Sequence, residues 1–349
     1  MSRKQLVTGG AGFIGANYVL QALDKTQDTI IILDKLTYAG DVRRLEPHLS
    51  NSDRLVFIKG DICDKKLLNS LFSKHEIDTV VHFAAESHVD RSISGPDVFV
   101  QTNVNGTVAL LSAAKESWDS YHGKRFIHVS TDEVYGTLMP DDPPFTESNP
   151  YKPNSPYASS KASADLFVRA WVETYDFPAI ITNCSNNYGP WQFPEKLLPL
   201  MIQNALDGRK LPVYGDGKQV RDWIHVEDHC NAILKVIDKG RLGETYIIGG
   251  RQERFNIDIV NLICEHVGEY LGNDIKNLIS YVKDRLGHDR RYAVDSLKIE
   301  TELGWSQLHR FEEDLPLYIK WIIDNKDWMN SIRDDSYQDY YFNHYGKGL

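Results

Sequence analysis

The sequence predicts an α/β fold: a doubly wound parallel sheet with a smaller C-terminal α/β domain. Three observations predict it. Short apolar, β-branched runs recur along the chain and alternate with stretches of helical periodicity. The glycine-rich and polar segments that carry chemistry follow those runs directly, as they do at the carboxyl ends of parallel strands. A length of 349 residues suits one large or two medium domains rather than one small one.

The runs can be taken in order. Residues 5–8 read as a first strand, and glycines at 9, 12 and 15 follow in a G-x-x-G-x-x-G pattern that opens a helix over about 16–23. In that context Gly9 permits the tight turn, Gly12 lets the backbone approach a pyrophosphate, and Gly15 lets helix pack on strand. A second strand over 29–34 ends in Asp34, where an acid accepts from a ribose 2′-hydroxyl and favours NAD over NADP. This is the pattern of a Rossmann dinucleotide-binding unit. A third strand, 55–61, ends in Asp61, which serves either the adenine end of the dinucleotide or a helix cap. A fourth, 79–85, leads into Glu86-Ser87-His88, and a fifth runs over 125–131. A sixth, 178–184, leads into Ser185-Asn186-Asn187, and a last one covers 244–250. The stretch 211–229 reads as mixed strand and turn, and helices are expected over about 194–206, 257–270 and 311–323.

Composition narrows the function classes. A hydrophobic content of 42% with 25% charged residues describes an ordinary soluble globular chain. The net charge of -10 argues against wholesale nucleic-acid binding, so an anionic substrate must be held by local arginines and lysines. No run of about 20 apolar residues is present, so no membrane association through a span is expected. The N-terminus enters a strand without a signal-like apolar region, and cysteines 63, 184, 230 and 264 form no C-x-x-C pair. A reduced, cytoplasmic protein is the expectation.

The chemistry-bearing stretch is Ser130-Thr131-Asp132-Glu133-Val134-Tyr135-Gly136, followed by Tyr157-Ala158-Ser159-Ser160-Lys161. Tyr157 and Lys161 are four apart at the start of a helix expected through Tyr175, so they share a face. An ammonium beside a phenol favours the phenolate and lowers its pKa toward neutrality, making Tyr157 a candidate base for an alcohol or sugar hydroxyl. Asp132 and Glu133 add an acid pair that a simple alcohol dehydrogenase does not need. Two adjacent carboxyls in a low-dielectric site do not both ionise easily, which suits one acid and one base. Arg221 stands among apolar residues, where it serves a substrate diphosphate or an internal pair with Asp222 or Glu227. His225 and His229 have zinc-helix spacing, yet the H-E-x-x-H order is absent and no third ligand suggests itself. They are read as structural, and no metal is expected. The basic stretch 284–291 is either a phosphate or sugar contact or a solvated turn. The aromatic tail, Trp328, Tyr337, Tyr340, Tyr341, Phe342 and Tyr345, is expected to dock on the body of the protein.

G-x-x-G-x-x-G, Asp34 and Tyr157-x-x-x-Lys161 together resemble the extended short-chain dehydrogenase/reductase superfamily, over residues 5 to about 305. At finer grain, the segments 34–40, 84–92, 130–136, 185–190 and 287–292 are similar to the dTDP-glucose 4,6-dehydratase family. The closing segment 328–346 extends that resemblance over essentially the whole chain. It implies a hydro-lyase with NAD tightly bound and recycled in each turnover: C4 oxidation, loss of water across C5 and C6, and hydride return to C6. Without Asp132 and Glu133 the chain would resemble a sugar-nucleotide 4-epimerase. It implies Thr131, Asp132, Glu133, Tyr157 and Lys161 as catalytic. Cofactor contacts implied are Gly9, Gly12, Phe13, Ile14, Gly15, Asp34, Lys35, Leu36, Thr37, Asp61, Ile62, Phe83, Ala84, Ala85, Ser87, Thr102, Tyr157, Lys161 and Asn187. Substrate contacts implied are Ser87, Thr131, Asn186, Lys196, Leu197, Pro212, Tyr214, Arg221, Asn256, Asp284, Arg285 and His288. Leu286 stands where that family usually has Pro. Residues 1–185 are expected to form the NAD-binding domain, with return segments near 222–250, and 186–349 mainly the sugar-nucleotide-binding domain. A homodimer through a helix bundle is also implied. The alternatives are the same chemistry on UDP-glucose or another nucleotide sugar, and a non-catalytic NAD(H)-binding regulator, which the intact catalytic set disfavours.

Overall fold

The computed structural model describes residues 2–333, 337 and 346. Its strands are β1 (Lys4–Thr8), β2 (Thr29–Asp34), β3 (Leu55–Lys59), β4 (Thr79–His82), β5 (Arg125–Thr131) and β6 (Ala179–Cys184). Then come β7 (Asn186–Tyr188), β8 (Leu211–Tyr214), β9 (Val220–His225), β10 (Thr245–Ile248), β11 (Glu253–Phe255) and β12 (Ile279–Val282). Seven form the large sheet in the order β10-β6-β5-β4-β1-β2-β3. Every neighbouring pair in it is parallel.

Burial on both faces explains why these strands read as continuous apolar runs. Along β2, Ile30 and Ile32 enter one core and Ile31 and Leu33 enter the other. The first core is closed by helices Phe13–Lys25 and Val226–Lys239, the second by Lys65–His75, Thr107–Ser117 and Pro156–Tyr175. The segment Ile299–Trp305 also packs into the first core. A separate cluster carries the small sheets β11-β9-β7 and β12-β8 with helices Leu197–Leu206, Asn256–Leu271 and Phe311–Asp324.

The winding reverses between β1 and β4, which lie side by side although two strands separate them in sequence. A crevice opens at such a switch point, off the carboxyl ends of the strands. Gly9 turns the chain there at φ +70°, and a Cβ on it would stand 2.6 Å from the Ala84 nitrogen. No side chain fits, so the turn lies directly against the segment after β4.

Several expected boundaries shift. The first helix spans Phe13–Lys25, because the turn closes within the glycines. The helix that carries Tyr157 and Lys161 starts at Pro156, with Ser155 capping the Ala158 N–H at 3.0 Å, so Tyr157 sits in its first turn. The stretch read as strand and turn through 229 becomes helical at Val226, where His225 caps the Glu227 N–H at 3.4 Å. Helix Lys65–His75 is capped by Asp64, not Asp61. From the tail, the Trp328 indole donates to Asp41 at 2.8 Å and stands edge-on to Trp191, while the Tyr337 hydroxyl meets the Pro194 carbonyl at 3.2 Å. Tyr340, Tyr341, Phe342 and Tyr345 lie outside the described residues.

Candidate active site

Two adjoining cavities occupy the carboxyl edge of the large sheet. The larger, about 350 Å³, runs from the glycine turn past β4 to Tyr157 and Lys161. The smaller, about 160 Å³, lies against the second unit. Glu133, Asn186, Glu195, Lys196, Leu197 and Trp223 line both, so Glu133 stands at their junction.

The larger cavity is lined by every residue implied for the cofactor except Leu36, and by Thr131, Asp132 and Glu133. Leu36 has φ +52°, and its N–H donates to Asp34 at 2.8 Å. Asp34 also accepts from the Ala11 N–H at 2.9 Å, and burial raises its pKa. A carboxylate has about four lone-pair sites, so it keeps capacity for a ribose hydroxyl. Lys35 pairs with Asp61 at 2.7 Å on the rim. Helix Phe13–Lys25 has no side-chain N-cap, which leaves first-turn N–H groups facing the cavity, the usual cradle for a pyrophosphate. These residues fit a dinucleotide.

Lining the smaller cavity are Pro212, Tyr214, Arg221, Asn256, Arg285 and His288, but not Asp284. Asp284 accepts from Gln219 at 3.1 Å and meets His288 Nδ1 at 2.6 Å. Arg285 makes a bidentate pair with the buried Asp90, at 2.6 Å on each arm, across the two units. Leu286 is 69% exposed, so Leu in place of Pro leaves the loop's charged contacts intact. Arg221 is not paired with Asp222 or Glu227. Its guanidinium donates to the Val220 and Asp289 carbonyls and lies 4.2 Å from the Tyr292 ring centre. Asp222 instead accepts from the Gly250 and Gln252 N–H groups.

The acid pair follows β5 in one short 3-10 turn, Asp132–Tyr135, capped by the Thr131 hydroxyl. Asp132 is 1% exposed, and its Oδ2 has no hydrogen-bond partner among the described residues. Burial, then the charges of Glu133 and Asp222, push its carboxyl well above the usual carboxylate range. Burial raises Glu133 as well, but Arg221, Lys196 and Arg285 pull it back. Both acids are raised, but two like charges and one cation, Arg221, act on Asp132, whereas three cations and one like charge, Asp289, act on Glu133.

Tyr157 departs from expectation. Burial and the Glu133 charge push its phenol well above its ordinary value, with the Thr131 hydroxyl opposing by a hydrogen bond. Lys161 donates to the Val129 carbonyl at 2.8 Å rather than to the phenol. The expected depression counted only the ammonium; here burial acts first and the Glu133 charge adds to it.

His229 holds Asn187 through Nδ1 at 2.8 Å, a structural role at the cavity wall. His225 gains a distant neighbour, His309, whose ring stacks on it with centroids 4.0 Å apart. Glu227 lies close enough to make the three a conceivable donor group. The His309 Nδ1 meets Asp228 at 3.1 Å, which raises its pKa, while burial pushes His225 down to about 3.

Sequence reasoning missed Glu195. This buried acid, its pKa raised chiefly by burial, accepts from the Tyr38 hydroxyl at 3.1 Å and faces Arg91 at 3.4 Å and His88 at 3.8 Å. The only signal was its place before Lys196. Asp289 and Tyr292, also on the wall, lay within a motif already singled out.

The GDP-mannose 4,6 dehydratase family model matches residues 6–316. A dTDP-glucose 4,6-dehydratase of Xanthomonas campestris is 52% identical, covering 95% of this chain and 97% of that protein. Among solved structures, the Streptomyces venezuelae dTDP-glucose 4,6-dehydratase DesIV, crystallised with NAD, superposes with a TM-score of 0.88 at 47% identity. That match covers 94% of this chain and 99% of DesIV. The Bacillus anthracis enzyme in complex with NAD gives 0.85 at 44% identity, over 95% of this chain and 100% of that one. With this likeness over nearly its full length, and with the acid pair and Tyr-Lys pair on one cavity wall, the chain belongs to the dTDP-glucose 4,6-dehydratase family of extended short-chain dehydrogenases/reductases.

Proposed function

We propose that the protein is a hydro-lyase that converts dTDP-glucose to dTDP-4-keto-6-deoxyglucose with NAD. The observation that carries this reading is the unequal acid pair at the junction of the two cavities, on the same wall as Tyr157.

The glycine turn, Asp34, Lys161 and Asn187 would hold NAD, which would supply hydride acceptance and donation and a positive charge that favours the Tyr157 phenolate. Tyr157 takes the C4 hydroxyl proton while Thr131 hydrogen-bonds that oxygen. The resulting ketone acidifies the C5 proton, which Glu133 removes. Asp132, which holds its proton, gives it to the departing C6 hydroxyl, and water leaves. Glu133 would then return its proton to C5 as C6 is reduced. Arg221, Arg285 and Lys196 would meet the diphosphate, against the chain's net charge of -10.

A second reading keeps the chemistry but takes UDP-glucose, since base selectivity depends on few contacts. The test is incubation with each sugar nucleotide without added NAD, followed by mass spectrometry. Loss of one water from dTDP-glucose alone is expected. Turnover of UDP-glucose alone overturns the substrate, and no water loss from either, even with NAD supplied, overturns the reaction.

No described helix is long and apolar enough to cross a membrane. Four free cysteines suit a reducing compartment, and a cytoplasmic location is part of the proposal. So is a homodimer. Val98, Val100, Leu166 and Phe167 are 40% exposed or more, on neighbouring helical segments that a partner copy would cover.

A further inference from the structure

One fully buried carboxylate has no task in that chemistry. Asp165 lies one turn beyond Lys161 on helix Pro156–Tyr175, so Tyr157, Lys161 and Asp165 form a row on one face. It is 1% exposed. Its Oδ2 accepts from the Ser130 hydroxyl at 2.9 Å, the Tyr151 hydroxyl at 3.0 Å and the Asn183 amide at 3.1 Å. Its Oδ1 faces His128 Nε2 at 3.1 Å. Three donors on one oxygen are the surroundings of a carboxylate anion. Burying such an anion is costly unless a cation answers it.

We propose that Asp165 is a positioning residue: the buried counter-charge that keeps the Lys161 ammonium protonated inside the site, and through it keeps Tyr157 usable as a base. This rests on the reading of Tyr157 and Lys161 as the base pair of the proposed reaction. Lys161 is 4% exposed and spends one N–H on the Val129 carbonyl. Burial pushes its pKa down, and Asp165 is the largest influence in the other direction. The other titratable groups packed around it are Tyr157 on its own helix, His82 from β4, His128 from β5 and Cys184 from β6. Burial pushes both imidazoles down, with Asp165 opposing at His128, and pushes the thiol up to about 12. Asp132 and Glu133 continue from β5 and act on Tyr157. Among these, Asp165 is the anion that bears on Lys161.

Asp165→Asn separates charge from shape. The amide oxygen can keep the Ser130, Tyr151 and Asn183 bonds, while its NH₂ faces His128 Nε2, which accepts in its other tautomer. Two experiments test the inference. In the first, single-turnover reduction of bound NAD by dTDP-glucose is followed against pH. Lys161 must be charged, so losing its counter-charge moves the alkaline limb lower, by roughly one pH unit, and leaves the acid limb in place. A profile superimposed on wild type, with only Tm reduced, overturns the proposal in favour of a packing role. The second experiment needs no turnover, so it stands or falls apart from the proposed activity. Lys161→Met strands Asp165 and lowers Tm, and adding Asp165→Asn restores it by roughly 2 °C or more. A double variant no more stable than Lys161→Met overturns the inference, whether or not Asp165→Asn folds alone.

Discussion

Asp132 and Glu133 are neighbours in sequence with different surroundings. The first has a buried oxygen with no donor and two like charges beside it. The second faces three cations. Their surroundings therefore differ in the sense that the proposed acid and base roles require, without any difference in intrinsic chemistry. Glu133→Gln is expected to reduce bound NAD normally, seen as NADH absorbance, and to stall there, with turnover down by ~10²–10⁴. An unchanged rate of water loss in that variant would contradict the base role. Tyr157→Phe fails one step earlier: bound NAD stays oxidised on addition of dTDP-glucose, and turnover falls by a similar ~10²–10⁴. The raised pKa of Tyr157 shows why Lys161 alone is an incomplete account of its reactivity.

Elements place these side chains by close backbone contact and by polar caps. Gly9 has both a positive φ and a Cβ position 2.6 Å from backbone, so Gly9→Ala must move the turn or the segment after β4. The expected result is loss of retained NAD with the large-sheet circular dichroism preserved; NAD retained at wild-type stoichiometry would count against this. At the start of helix Val226–Lys239, His309 is paired with Asp228 and its folded pKa is raised. Its stabilisation is therefore present below the unfolded histidine pKa and lost as pH rises through the folded value. Asp228 is depressed, so its share is lost as pH falls through its folded pKa. His309→Gln should lower Tm more at pH about 6 than at pH about 9, and equal losses at both would exclude the ion pair as the cause.

On the scale of the whole molecule, the site exists because two units close over one sheet edge. Asp90, from the large-sheet unit, holds Arg285 of the second, and Lys196 donates to the Ser87 carbonyl at 2.7 Å. Asp90→Asn should raise KM for dTDP-glucose with little change in kcat, because it loosens a substrate cation and leaves Tyr157 and the acid pair alone. A fall in kcat at unchanged KM would contradict that assignment. The exposed apolar residues on the two neighbouring helical segments carry the oligomer prediction, and light scattering giving a monomer mass would exclude it.

The local rules were legible in the sequence. Strand–turn–helix order, the glycine spacing, Asp34, the Tyr157–Lys161 spacing and the Asp132-Glu133 pair all follow from short-range periodicity and backbone sterics, which one-dimensional reading captures. Leu36 and Asp284 belonged to the right motifs, yet neither lines the cavities, because motif membership does not determine placement. Long-range contacts decided the rest. His309 meets His225 across 84 positions of chain, Asp90 meets Arg285 across 195, and Glu195 comes to rest between His88 and Arg91. Whether the phenol of Tyr157 rises or falls in pKa depends first on how deeply it is buried and then on the charges around it. Burial and through-space charge are properties of the assembled fold, so no spacing along the chain could determine them.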